Sequence, residues 1–68
     1  MQIPAIQLTR REREVLCLVA SGQTDRNIAV ALTISRRTVN RHMSNIFVKL
    51  DVPGRAAAAA YAIRHGLI

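Results

Sequence analysis

Polar side chains with strong hydrogen-bonding groups gather in the middle of the chain, at Asn40, Arg41 and Ser44. The guanidinium of Arg41 has the fork that matches O6 and N7 of guanine, and the amide of Asn40 matches N6 and N7 of adenine. The hydroxyl of Ser44 is short enough to reach either kind of base edge. We therefore predict that these three residues contact bases in DNA.

The stretch around these residues is basic and lacks acids. Between Arg36 and Leu50 there are four arginines and lysines plus His42, whereas all four acids of the chain lie elsewhere. Exposed helices usually mix the two signs, because opposite charges four residues apart contribute ~0.2 to 0.5 kcal/mol and like charges cost a similar amount. An ordinary solvated face is the alternative, but the missing acids favour an anionic partner.

Further polar residues lie at the rims of this stretch and just before it. Arg37 and Arg41 are four residues apart and repel each other, so an anion between them would stabilise the pair. We predict that the rim residues hold DNA phosphates, which fixes the register without choosing the sequence. These residues are Thr24, Arg26, Arg36, Arg37, Thr38, Asn45 and Lys49.

The composition fits one small domain that binds nucleic acid. The chain has 68 residues and a formal net charge of +6, which attracts polyanions. Half of the residues are apolar but only Phe47 and Tyr61 are aromatic, so the core must be aliphatic. No apolar run approaches the ~18 residues of a membrane-spanning helix and no signal-peptide pattern opens the chain. We expect a cytoplasmic protein with double-stranded DNA as its partner and no membrane contact.

The sequence argues against an enzyme. It contains no nucleophile with a matching base, no phosphate-cradling glycine loop and no paired carboxylates. Cys17 is the single cysteine, so no internal disulfide forms, and without clustered histidines it completes no familiar zinc site. No cofactor and no metal are predicted.

A helix from Arg36 to Leu50 is predicted to position the base-reading residues. Ser35 offers a hydroxyl cap at its start, and Pro53 lies in the segment that breaks it. Its apolar residues follow offsets of 4, 7, 8 and 11, which draw one stripe on a helix. The stripe consists of Val39, Met43, Ile46, Phe47 and Leu50, and the residues opposite it are Arg37, Arg41, Ser44, Asn45 and Val48.

Two shorter helices are predicted before the long one. Thr9 and Glu12 have the spacing of a capping box at the start of the first helix, which Gly22 ends. Thr24 caps the second helix, and the turn that follows it contains no glycine. Residues 1–7 show no period and are predicted to be a linker or a disordered leader.

A fourth helix completes the predicted fold. It runs from Arg55 to His65 through five consecutive alanines and ends at Gly66. Residues 8–68 are thus predicted to form an all-α domain, a four-helix bundle that contains a helix-turn-helix.

A set of motifs at fixed spacing runs through nearly the whole chain. It comprises Leu8 to Leu16 (LTRREREVL), Gly22, Ile28-Ala29, Leu32, Ile34-Ser35, Thr38-Val39, His42, Asn45-Ile46-Phe47, Lys49-Leu50, Val52, Arg55 and Ala57-Ala58. Together they resemble the LuxR-type (GerE-like) helix-turn-helix domain that ends many bacterial transcription regulators. The sequence departs from the family pattern at Asn27, Asp51 and Gly54, where the family commonly has an acid, glycine and serine.

The resemblance implies a DNA-binding output domain that follows an upstream sensor or regulatory domain. It also implies that the third helix reads the major groove, with base contacts at the positions of Asn40, Arg41 and Ser44. In the family the fourth helix forms a homodimer on a near-palindromic site. Here that surface would consist of Ala59, Ala60, Ile63 and Leu67.

Alternatives remain open for the fourth helix and for the function. The alanines can serve only as strong helix formers, with Tyr61 and Ile63 completing the monomer core. A promoter-reading domain of a sigma factor looks similar up to about Lys49, although the alanine-rich fourth helix argues against it. A protein-interaction module that docks through the fourth helix is a third interpretation.

Overall fold

The computed structural model describes residues 7–67, which form four α-helices and, within that range, no β-strand. The predicted all-α fold and the predicted bounds of the third helix are confirmed. Apart from Gln7, the predicted leader lies outside the described residues. No helix between residues 7 and 67 is both long and apolar enough to cross a bilayer. The helices are α1 (Arg10–Ala20), α2 (Asp25–Leu32), α3 (Arg36–Leu50) and α4 (Arg55–Arg64).

Hydroxyl side chains cap the first three helices, as predicted. The Thr9 hydroxyl accepts a hydrogen bond from the Glu12 backbone N–H at 3.1 Å, and the Glu12 carboxylate accepts one from the Thr9 N–H at 3.0 Å. Thr24 and Ser35 each accept from the backbone N–H three residues on, at 3.1 and 3.0 Å. These bonds satisfy amides that a helix start leaves free. Gly54 precedes α4 at the capping position and provides no side-chain cap.

Residues in the left-handed conformation follow the helices, and two of them are not glycine. Gly22 after α1 has φ 88° and Gly66 after α4 has φ 64°. Thr33 at the end of α2 has φ 58° and ψ 46°, and Asp51 at the end of α3 has φ 56° and ψ 51°. This region crowds a Cβ atom, most of all in a β-branched residue. The turn between α2 and α3 therefore stores strain at Thr33.

An aliphatic core joins the four helices. Helix α1 packs against α3 and α4, and α2 packs mainly on α3. The small side chains of Ala58 and Ala62, both fully buried, let α4 lie close to its neighbours. Phe47, a member of the predicted stripe, is only half-buried at the edge of this core. The buried side chains are Val15, Leu16, Val19, Ile28, Ala29, Val39, Met43, Ile46, Leu50, Ala58 and Ala62.

The strain at the two helix ends predicts that glycine stabilises the domain there. We expect Thr33→Gly to raise the free energy of unfolding by about 1 kcal/mol, because glycine adopts the left-handed region without a Cβ clash. Asp51→Gly should give a smaller gain, since Asp tolerates this region better than Thr. Thr33→Ala is the control, because it keeps a Cβ atom in the same conformation. Urea denaturation measures the free energy of unfolding of the three variants and of wild type. A Thr33→Gly variant less stable than wild type would contradict the inference that Thr33 is strained.

Candidate nucleic-acid interface

The outer face of α3 carries five side chains on the side opposite the buried stripe. All five are exposed, as the periodicity predicts, and Asn40 beside them is exposed as well. The structure thus brings the three predicted base-reading residues onto the accessible side of one helix. The outer face consists of Arg37, Arg41, Ser44, Asn45 and Val48.

The rotation of α3 about its own axis is fixed by burial of its inner face and by hydrogen bonds at its first turn. Val39, Met43 and Ile46 on its inner face are buried in the core. At the start, the Ser35 hydroxyl accepts the Thr38 backbone N–H at 3.0 Å, and the hydroxyls of these two residues lie 2.9 Å apart. Thr38 is half-buried, so its predicted phosphate contact depends on a hydroxyl that already has a partner.

A cleft of about 470 Å³ lies at the turn from α1 into α2, and the first residues of α3 and α4, Arg36 and Arg55, also line it. Thr24, Arg26 and Arg36, three of the predicted phosphate contacts, line it. Asp25 also lines the cleft, but its carboxylate accepts a hydrogen bond from Arg55 Nη1 at 2.8 Å. Because that acid is paired, the cleft presents the positive charge of Arg26 and Arg36 next to the amide end of α2, where anions are favoured.

Acidic side chains do not neutralise the arginines of α3. Three of the four acids are paired with cations other than the arginines of α3, and Asp51 forms no salt bridge within residues 7–67. In the same range neither Arg37 nor Arg41 has an acidic partner. The repulsion predicted between these two arginines is therefore not offset by a nearby acid. The closest pairs are Arg11–Glu14 at 3.0 Å, Lys49–Glu12 at 2.7 Å and Arg55–Asp25 at 2.8 Å.

Lys49 has a role in the fold that the sequence analysis did not predict. Its Nζ donates to Glu12 Oε1 at 2.7 Å and to the carbonyl oxygen of Gln7 at 2.9 Å. A phosphate would compete with both bonds for this ammonium group. A signal was present in the sequence, because Glu12 lies in phase with Leu8, Leu16 and the rest of the buried face of α1.

Glu12 is buried and ionised. Only 3% of its surface is exposed. Burial raises the pKa of this carboxyl group, but the hydrogen bond and charge of Lys49 and the bonds from Thr9 lower it by more, so the pKa lies below its ordinary value. The ion pair of Glu12 and Lys49 therefore joins three elements. The carboxylate accepts from Thr9 at the start of α1 and from Lys49 at the end of α3, and the Lys49 ammonium also donates to the carbonyl oxygen of Gln7.

The four residues predicted for a dimer surface divide into two pairs. Ala60 is exposed and 64% of the surface of Ile63 is exposed. Ala59 and Leu67 are half-buried and pack against the core of their own chain. Of the two residues that the alternative assigned to the monomer core, Tyr61 packs against that core and Ile63 does not.

Helix α2, the turn through Thr33 and helix α3 form a helix-turn-helix, and the basic outer face lies on its second helix. These features define a small all-α DNA-binding domain. The family of bacterial regulatory proteins called the luxR family, or GerE, matches residues 6–62, and the chain belongs to that family. The family resemblance predicted from the sequence is confirmed, and it decides against the sigma-factor interpretation.

Individual relatives agree with this assignment. The chain is 47% identical over 66 residues to the transcriptional regulatory protein LiaR of Bacillus subtilis, covering 97% of this chain but 31% of LiaR. The structure of the transcription factor GerE has a TM-score of 0.82 and 36% identity, and the match covers 94% of each chain. The response regulator ChrA of a haem-sensing two-component system has a TM-score of 0.87 and 38% identity, over 97% of this chain and 33% of ChrA. The chain thus spans about a third of LiaR and of ChrA.

The buried pair of Glu12 and Lys49 predicts a specific dependence of stability on pH. Because the folded state lowers the pKa of Glu12, ionised Glu12 stabilises the fold at pH values above its ordinary pKa of 4.5. That contribution is lost as the pH falls through the lower folded value. We expect Glu12→Gln to lose roughly 1 to 3 kcal/mol at neutral pH and to fall less steeply than wild type towards pH 3.

Glu14→Gln is the matched control, because Glu14 lies on the same helix in a solvent-exposed pair. Such pairs contribute ~0 to 1 kcal/mol, so this variant should follow the wild-type profile. Chemical denaturation at a series of pH values measures the three proteins. Parallel profiles for wild type and Glu12→Gln would reject the proposed role of the carboxylate.

Proposed function

We propose that this chain binds double-stranded DNA sequence-specifically, with α3 in the major groove. The observation that carries the proposal is the outer face of α3, which is polar, basic and without an acidic partner within residues 7–67. A major groove about 12 Å wide accommodates a single helix. The buried stripe on the opposite side holds the face in one orientation, as base recognition requires.

Within this proposal the polar residues divide by task. Asn40, Arg41 and Ser44 read base edges from the exposed side of α3. The cleft at the start of α2 binds a phosphate through Thr24, Arg26 and Arg36. Rim contacts complete the phosphate grip. They come from Arg37, Thr38 and Asn45, with Lys49 contributing only if it leaves Glu12.

We further propose that two chains bind a near-palindromic site through α4. Ile63 and Ala60 are three residues apart on the exposed side of that helix, so both can meet the same helix of a second chain related by a two-fold axis. Ala59 and Leu67 would border this contact from the edge of the core. One exposed isoleucine and small alanines bury little area, so the free chains are monomeric at low concentration and pair on DNA.

The relatives support a setting for this domain. LiaR is a transcriptional regulatory protein and ChrA is a response regulator, and both are about three times as long as this chain. We propose that the chain is the non-enzymatic output part of a longer regulator, with a sensor or receiver domain upstream. Its site of action is then the bacterial cytoplasm, where the DNA lies.

The division between base and phosphate contacts predicts two kinds of defect. Selection of bound sites from random duplexes identifies a preferred duplex, and a duplex of scrambled sequence serves as the non-specific reference. Arg41→Ala should cost about 1 to 3 kcal/mol on the preferred duplex and little on the scrambled one. Arg36→Ala should weaken binding to both and reduce the slope of log affinity against log salt by about 0.9.

Arg13→Ala is the control, because Arg13 is an exposed arginine of α1 outside the predicted contacts. Fluorescence anisotropy over a salt series measures the four proteins. If the chain binds no DNA at low salt, the protein-interaction alternative with α4 as its docking surface gains support. Equal losses on both duplexes for Arg41→Ala would reject base reading by that residue.

The proposed dimer predicts that cooperativity depends on Ile63. We expect Ile63→Ser to abolish cooperative binding to a duplex with two half-sites, while its affinity for a single half-site stays within about twofold, because Ile63 lies off the outer face of α3. Val30→Ser is the matched control, since Val30 is 74% exposed on α2. Gel-shift titrations separate the one-chain and two-chain complexes. Unchanged cooperativity in Ile63→Ser would exclude this surface.

A further inference from the structure

Val48 is an exposed apolar residue at the C-terminal end of the polar outer face of α3. It is 80% exposed, more than Val30 or Ile63, the other large exposed apolar residues among residues 7–67. Seven residues separate it from Arg41, so at 100° per residue the two side chains point within about 20° of each other. Val48 therefore lies near the angular midline of the outer face of α3, at the C-terminal end of that face and about 10 Å along the axis from Arg41.

The surroundings of Val48 argue against a protein contact. A single exposed apolar residue is ordinary on a protein surface, and docking surfaces are contiguous patches. On the outer face its neighbours are Ser44 and Asn45, which are exposed and polar. The adjacent Lys49 reaches away to Glu12, so this end of the face offers a valine rather than a cation. What distinguishes Val48 is its place in the helix that the proposed function puts in the groove.

We propose that Val48 is an additional specificity-determining residue, whose methyl groups contact the C5-methyl group of a thymine. This inference rests on the proposed function. In the major groove only thymine presents a methyl group, and an apolar side chain favours it without a hydrogen bond. Because the DNA axis rises about 3.4 Å per base pair, about 10 Å along the helix spans at most about three base pairs, so the thymine lies within that distance of the pair read by Arg41. The valine thus extends base reading beyond the three polar residues.

Replacement of single thymines by deoxyuridine tests the contact, because it removes the C5-methyl group and leaves base pairing intact. With the 68-residue chain and its selected duplex, we expect one thymine in each half-site whose replacement weakens binding about fourfold, the effect of burying one methyl group. Val48→Ala should bind the unmodified duplex about fourfold more weakly and should not respond to that replacement. Since Val48 is exposed, the variant keeps its fold, which thermal melting verifies.

Val30→Ala is the control, and it should respond to each replacement as wild type does. The inference is overturned if no deoxyuridine affects wild type, or if Val48→Ala shows the same loss as wild type at the sensitive thymine. Both results are distinct from failure of the proposed function. If the proposed function fails, wild type will not distinguish the selected from the scrambled duplex and Arg41→Ala will change nothing. The inference about Val48 is then rejected together with the proposed function.

Discussion

The burial of one apolar stripe sets the rotation of α3, and every proposed base contact depends on that rotation. Val39, Met43, Ile46 and Leu50 enter a core shared with the other three helices. Turning α3 by one residue, about 100°, would bring polar side chains into this core, at about 1 to 3 kcal/mol for each group left without a hydrogen bond. The side chains on the opposite side are therefore presented in a fixed arrangement. Such preorganisation reduces the ordering cost of binding.

The same packing determines which charged side chains of the domain are paired and which are not. Glu12 pairs with Lys49 at the end of α3, so this cation is not free to bind an anion. The Lys49 ammonium also donates to the carbonyl oxygen of Gln7 and thereby holds the chain before α1 against the end of α3. Arg55 neutralises Asp25 beside the cleft in a similar way. Since three of the four acids are paired with other cations within residues 7–67, the arginines of α3 and of the start of α2 project a positive field. A field of this kind attracts a polyanion before any specific contact forms.

Local rules were enough to predict the helices, because each depends on nearby residues. The caps at Thr9, Thr24 and Ser35 and the stripe of α3 could all be read from spacing. The contact between Glu12 and Lys49 spans 37 residues, and only the packing of α1 on α3 brings the two together. The left-handed conformation of Thr33 was missed for a related reason, since tertiary packing outweighs the local preference of a β-branched residue. Spacing placed Val48 opposite the stripe, but only the structure shows how exposed this side chain is.

The alanines of α4 connect the stability of the monomer to the weakness of the proposed dimer. Ala58 and Ala62 let α4 lie close to the core, yet small side chains leave little apolar surface on its other side. If two chains pair mainly through Ile63 and Ala60, DNA must supply most of the energy that holds them together. Doubling the phosphate contacts makes the paired complex more salt-dependent than a single chain. An upstream domain that brings two chains together would then control occupancy by raising their effective concentration, without altering α3.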